Sequence, residues 1–265
     1  MGRVFAFTDL HGRKDVFDKV IDFLNPDDKI YNLGDTCDRG PHGIPALAEM
    51  IADPRFINLM GNHDSFIIEA MPAIWERSTL NSTGQLWVNG NGGAPTLNEL
   101  FGYTIDDQKY LVEQISKFPK EVKYLNKNNQ MIIMEHAGYT PFDIPHRSHD
   151  PLWDREHFYD DWGSNTDQAK NTFLVHGHTP VQYLEFHYGY NGQDTSKRTA
   201  KEYKLKMAYE NITWMPHIIR YCDGHKFDLD MGCVSSGITA LLDLDTFDEY
   251  YISSEGLENI IKNER

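Results

Sequence analysis

The sequence predicts an α/β fold, and three observations carry that reading. Short apolar runs alternate with stretches of helical spacing. Three successive runs end directly in residues that carry chemistry. At 265 residues the chain is long enough for one large α/β domain.

Residues 3–8 read as the first strand, and Asp9 follows at once. Val16, Phe17, Val20, Ile21 and Leu24 then recur at helical spacing, and Pro26-Asp27-Asp28 ends that helix. Lys29–Leu33 reads as a second strand, followed by Gly34-Asp35. Pro41–Ala52 reads as a helix with proline near its start. Phe56–Met60 is a third strand, leading into Gly61-Asn62-His63-Asp64. Residues 65–125 read as mostly helical, interrupted by the glycine-rich stretch 89–93. Met131–Met134 and Thr172–Val175 are apolar strands that end at Glu135-His136 and His176-Gly177-His178. Phe227–Asp230, Gly237–Asp243 and Glu249–Ser253 are read as the closing strands. Between them lies a different segment, about 187–222, aromatic and locally basic. The chain therefore reads as a single domain, 1–265, with an inserted arm.

The formal net charge of −15 argues against a general nucleic-acid binder, which needs a basic surface to displace counterions. Lys197, Arg198, Lys201, Lys204 and Lys206 are the exception in the arm. No apolar run approaches the roughly 20 residues that span a bilayer. The residues around Val4–Phe7 lack secretory character. Cys37, Cys222 and Cys233 offer no disulfide framework, so a reducing cytoplasm is the expected location.

Ligands in α/β folds collect beyond the carboxyl ends of strands, so the residues there are read as one shared site. Asp9 and His11 are alternate residues at a strand end and can grip one ion together. Asp35 can bridge two ions with its two oxygens. Asn62 offers an amide oxygen, and His136 and His178 offer imidazole nitrogens. Mixed oxygen and nitrogen ligation suits Mn, Fe or Zn better than Ca. Each piece alone has a plain structural reading: a surface pair, a turn, a core histidine. Their order at successive strand ends sets them apart.

The motifs resemble those of the PPP (calcineurin-like) serine/threonine phosphatase family. Asp9-Leu10-His11-Gly12 resembles its first motif. Gly34-Asp35-Thr36-Cys37-Asp38-Arg39-Gly40 resembles its second, and Gly61-Asn62-His63-Asp64 its third. His136-Ala137-Gly138 and Gly177-His178-Thr179-Pro180 are similar to later ligand segments. Leu152-Trp153-Asp154-Arg155-Glu156 and Asp230-Met231-Gly232 are similar to segments of the bacteriophage lambda-type enzymes. The likeness covers roughly 3–185 and 227–245.

The resemblance implies two packed mixed β-sheets flanked by helices, and two divalent metal ions. Asp9, His11 and Asp35 would hold the first ion; Asp35, Asn62, His136 and His178 the second. His63 would protonate the leaving group with Asp38 orienting it, and Arg39 and Arg155 would bind phosphate oxygens. That chemistry is sound: a carboxylate fixes the tautomer of an imidazole, and the planar guanidinium donates in pairs. Arg39 could instead simply pair with Asp38. His176 is read as a neighbour of the site rather than a ligand. Asp64 is expected to be structural, and Cys37 a small buried residue. Asp230 reads either as an acceptor for a ligand histidine or as a plain strand-end carboxylate. Asn91, Gly92 and Gly93 read equally as a family loop or a turn.

The expected activity is a protein serine/threonine phosphatase with broad phosphomonoesterase activity. Its partners would be phosphorylated proteins or small phosphoesters, with no membrane and no nucleic acid. Hydrolysis of dinucleoside polyphosphates is the alternative. A non-catalytic scaffold is disfavoured because it would not need His63, Asp38, Arg39 and every ligand together.

Overall fold

The computed structural model describes residues 2–142, 149–159, 162, 166–187 and 216–263. Strand β1 (Val4–Phe7) pairs in parallel with β2 (Lys29–Asn32), and β2 with β3 (Phe56–Asn58). Helices α1 (Lys14–Phe23) and α2 (Gly43–Ala52) are the crossovers. The pleat explains how one strand serves two layers. Phe5 and Phe7 face the helices and join Val16, Phe17, Val20, Ala46 and Met50 in one cluster. Ala6, between them, faces the opposite way, into a cluster shared with the second sheet. Phe5, Phe7 and Phe17 are completely buried, and each such ring contributes about 1.5–3 kcal/mol.

Four helices follow: α3 (Asn62–Trp75), α4 (Ser82–Gly90), α5 (Ala94–Leu100) and α6 (Ile105–Ile115). They bury a separate cluster that includes Phe66, Ile67, Trp87, Leu100, Leu111 and Ile115. The second sheet is built from β4 (Glu121–Leu125), β5 (Met131–Glu135), β6 (Thr172–His176), β7 (Ile219–Tyr221) and β8 (Lys226–Asp228). Its order is β4-β5-β6-β8-β7, with a parallel centre and antiparallel edges. Short helices α7 (Asp167–Lys170), α8 (Val181–His187) and α9 (Cys233–Ser236) connect its strands or follow them. Strands β9 (Ile238–Asp243), β10 (Glu249–Ser253) and β11 (Gly256–Ile261) complete the first sheet in the order β11-β10-β9-β1-β2-β3. The two mixed sheets pack face to face: Ala6, Tyr31, Ala240 and Leu242 of one meet Ile132, Met134, Val175 and Phe227 of the other.

Three strand expectations need correction. Residues 121–125 were expected to be helical, yet Glu121–Leu125 is an edge strand paired antiparallel with β5. Its apolar side chains alternate over only five residues, too short a stretch to declare a period. Glu249–Ser253 is not the last strand, because it turns into β11, whose side chains are mostly exposed and whose Leu257, Ile260 and Ile261 do not alternate as in a half-buried strand. The expected arm at 187–222 also contains β7, which closes the second sheet beside β8. The remainder of the arm, 188–215, lies outside the described residues. Among the described residues no helix is long and apolar enough to cross a membrane.

Candidate dimetal active site

The carboxyl ends of β1, β2, β5 and β6 and the start of α3 meet at one place. Gly34 O accepts from Asp9 N at 3.1 Å, and Asp35 O accepts from His11 N at 3.0 Å, so the first two loops interlock. Asp9, His11, Asp35, Asp38, Arg39 and His178 all have positive φ. Side-chain-bearing residues rarely adopt that region, and such strain clusters at functional sites. Close approach also dictates glycine at position 61. A Cβ there would lie 2.1 Å from Asp35 Oδ1 and 2.6 Å from Asp35 N.

Two sets of donor atoms share one oxygen. Asp35 Oδ2 lies 3.4 Å from His136 Nε2, and Asn62 Oδ1 lies 2.9 Å from His136 Nε2 and 3.0 Å from His178 Nδ1. On the other side, His11 Nε2 lies 3.6 Å from Asp9 Oδ1 and 3.8 Å from the same Asp35 Oδ2. Asp9, His11, Asp35, Asn62 and His136 are buried, and His178 is the most exposed of the six at 7%. Lone pairs converging this closely with few hydrogens between them call for positive charge. His136 shows the demand directly: burial opposes its protonation, but Asp35 outweighs burial and pushes it up to about 10. Burial pushes His11 down to about 3 and His178 well below the usual range, which leaves both as neutral donors. Asp35 is held well below the carboxylate range: burial alone would raise it, but His136, His63 and His11 together outweigh burial. The chemistry of both sets thus fits a cation.

The structure also sets the orientation of the remaining groups. His11 Nδ1 is 2.9 Å from Cys37 O, and His136 Nδ1 is 2.9 Å from Leu33 O. Each carbonyl fixes the tautomer that leaves Nε2 facing the centre. His63 Nδ1 is 2.6 Å from Asp38 Oδ2. Burial disfavours the His63 charge, but Asp35 and Asp38 outweigh it and raise its pKa. His63 Nε2 also lies within 3.9 Å of Asp35 Oδ2. Its ring is nevertheless committed on both sides, to Asp38 through Nδ1 and to Arg39 Nη2 at 2.9 Å through Nε2. His11 is committed on both sides as well, so what sets His63 apart is its partner. Its Nδ1 bonds a carboxylate where those of His11 and His136 bond carbonyls, and on that ground we group it with Asp38. Arg39 spans two imidazoles, since its Nη1 lies 2.8 Å from His11 Nε2. Arg155 borders the second set, with Nε donating to Thr179 Oγ1 at 3.0 Å.

Sequence reasoning missed several supports. Thr8 Oγ1 donates to Asp9 Oδ2 at 2.5 Å, and Trp87 Nε1 donates to Asp38 Oδ2 at 2.7 Å. Thr96 Oγ1 accepts from Asp38 N at 2.8 Å. No local signal in the sequence marks Trp87 or Thr96, because they arrive from α4 and α5. Asp64 is structural: its Oδ2 accepts from Gly61 N and Asp35 N. The 89–93 stretch is more than a turn, since Gly92 O accepts from Arg39 N at 2.7 Å. His176 bonds the Tyr221 hydroxyl at 2.6 Å, away from the donor sets. Asp230 Oδ1 accepts from Gly232 N, and among the described residues no ligand histidine donates to it. Cys37 is fully buried with its thiol pushed well up by burial, which suits a packing residue.

Two donor sets sharing a carboxylate oxygen, set at strand ends of two packed sheets, suit a pair of metal ions. The chain belongs to the calcineurin-like phosphoesterase family, whose model matches residues 2–209. Family membership supports metal-dependent hydrolysis of phosphoesters. No curated protein matches the sequence. Among solved structures, a cold-active protein tyrosine phosphatase of a psychrophilic Shewanella is similar at TM-score 0.52 and 14% identity, over 100% of this chain and 81% of that one. A metallophosphoesterase from Sphaerobacter thermophilus is similar at TM-score 0.50 and 14% identity, over 99% and 88%. A protein provisionally assigned as a diadenosine tetraphosphatase gives TM-score 0.50 and 14% identity, over 100% and 95%. At such identities these likenesses speak to the fold alone.

Proposed function

We propose that the chain is a two-metal phosphomonoesterase acting on phosphoserine and phosphothreonine in proteins, with activity extending to small phosphoesters. The observation that carries this reading is the sharing of Asp35 Oδ2 by both donor sets beside the His63–Asp38 pair. Asp9, His11 and Asp35 would hold one ion, and Asp35, Asn62, His136 and His178 the other. Mn is the expected metal, with Fe or Zn as alternatives, because the donors mix oxygen and nitrogen. Ions bound there would supply Lewis acidity and an activated water.

The chain's own residues would do the rest. His63, held by Asp38, would give its proton to the leaving oxygen, and its raised pKa keeps that proton available near neutrality. Arg39 and Arg155 would hold phosphate oxygens, and the planar fork of each suits paired acceptors. The lone pair of His11 Nε2 cannot serve a metal and the Arg39 N–H together. Arg39 would therefore turn its fork toward phosphate when the ion is held, which also releases His63 Nε2 to carry the proton it gives. The likeness of Trp153–Glu156 to the lambda-type phosphatases supports a phosphoprotein substrate.

The test sets a phosphopeptide against diadenosine tetraphosphate with Mn-reconstituted protein. Phosphate release from the peptide is expected. Turnover of the dinucleotide alone would favour the second reading, and no turnover with Mn, Fe or Zn would sink the enzyme reading.

A further inference from the structure

Apart from Arg39 and Arg155, the residues assigned to chemistry are polar and buried, yet two exposed apolar side chains flank them. Trp153 is 39% exposed. It lies edge-on to the ligand His178, with ring centroids 5.8 Å apart, and edge-on to Phe66 at 5.6 Å. Phe66 in turn lies 5.9 Å from His63. The indole thus borders the second donor set and stands one ring away from the proposed proton donor. It is two residues from Arg155. On the Arg39 side, Val234 is 36% exposed and lies against Gly40, where an added Cβ would meet its Cγ2 at 3.3 Å.

A large indole left partly in water beside charged residues gives up burial it could have gained in the helical core. Its T-shaped packing against His178 and Phe66 holds the plane in a fixed direction. Such a fixed ring offers a stacking or edge-on partner to another flat group. An alkyl chain as short as that of serine has no flat face to offer in return.

We propose that Trp153 is a specificity residue that receives an aromatic leaving group, so that aryl phosphomonoesters are favoured over alkyl ones. This inference rests on the phosphomonoesterase reading above and adds a ranking to it: phosphotyrosine and other aryl esters are turned over faster than the phosphoserine and phosphothreonine named there. In the reaction the P–O bond to the phenolic oxygen breaks, water supplies the new P–O bond, and the phenolic oxygen takes the proton from His63. Trp153 itself exchanges no proton and forms no bond.

The experiment compares Mn-loaded wild type, Trp153→Ala, Trp153→Leu and Trp153→Phe on one peptide sequence carrying phosphotyrosine or phosphoserine. An aromatic contact of ordinary strength changes kcat/KM by about twofold to tenfold. Trp153→Ala and Trp153→Leu should lower kcat/KM for phosphotyrosine by that factor and leave phosphoserine within about twofold. Trp153→Phe should restore most of the difference. Equal loss on both peptides, or no change on either, would overturn the proposal, and the leucine variant separates loss of the flat ring from loss of volume. Calorimetric binding of phenylphosphonate and methylphosphonate to wild type and Trp153→Leu supplies a readout without turnover. If wild type hydrolyses neither peptide, the phosphatase reading fails, while selective weakening of phenylphosphonate would still support the platform and its absence would refute it.

Discussion

At the scale of single residues, the site is a set of side chains whose alternatives have been removed. His63 has both ring nitrogens committed, and the oxygen of Asp38 that orients it also accepts from Trp87. Carbonyls fix the tautomers of His11 and His136. This separation of tasks yields a direct expectation. His63→Ala should lower turnover by about 10²–10⁴-fold, the usual worth of general acid catalysis, while metal content stays near that of the wild type. Kinetics paired with elemental analysis checks it, and loss of both metals in the variant would contradict the assignment. The residue types of this machinery were legible in the sequence because each stands in a short motif. Thr8, Trp87 and Thr96 were not legible, since their role is to touch Asp9 or Asp38 and contact leaves no mark on local composition.

At the scale of elements, the third motif shows how much a boundary matters. Asn62 and His63 were expected in a loop after a strand, but Asn62–Trp75 is one helix and they form its first turn. The positive end of α3 therefore faces the site, an arrangement that favours anionic groups there. Asp64 reaches back to Gly61 N and completes the start of the helix. Gly61→Ala should destabilise the protein by about 1–3 kcal/mol, since its Cβ would press on the backbone and carboxylate of Asp35. Chemical denaturation measures the cost, and an unchanged midpoint would show that the close approach is not needed. Interior strands such as β1, β5 and β6 were legible as apolar runs. The edge strands β4, β7 and β11 were not: β4 and β11 leave many side chains exposed and owe their existence to a neighbour, and β7, though buried, is only three residues long.

At the scale of the whole molecule, the two sheets bring motifs separated by more than a hundred residues into hydrogen-bond distance. The His178 ring meets Asn62 at 3.0 Å, and its backbone N–H donates to Asp9 Oδ2. A bound cation would tie both sheets together, because β1, β2, β5 and β6 each lead into a proposed ligand and α3 begins with one. Removing metal with a chelator should lower the melting temperature, and added Mn should restore it. A metal held at 100 times its Kd contributes about 2.7 kcal/mol. A melting temperature indifferent to metal would argue that the donor sets do not bind it.

The sequence by itself determined the α/β class and the order of the motifs, because strand runs and turn residues are local properties. It also determined which side chains could do the chemistry, since ligand and acid–base capacity belong to residue type. Tertiary structure alone decided that Asp35 Oδ2 lies between the two donor sets. It decided that left-handed backbone holds Asp9, His11, Asp35 and His178 in place. It also left Trp153 exposed beside His178. These are distances between segments far apart in the chain, fixed by how two twisted sheets pack, and no window of sequence contains them.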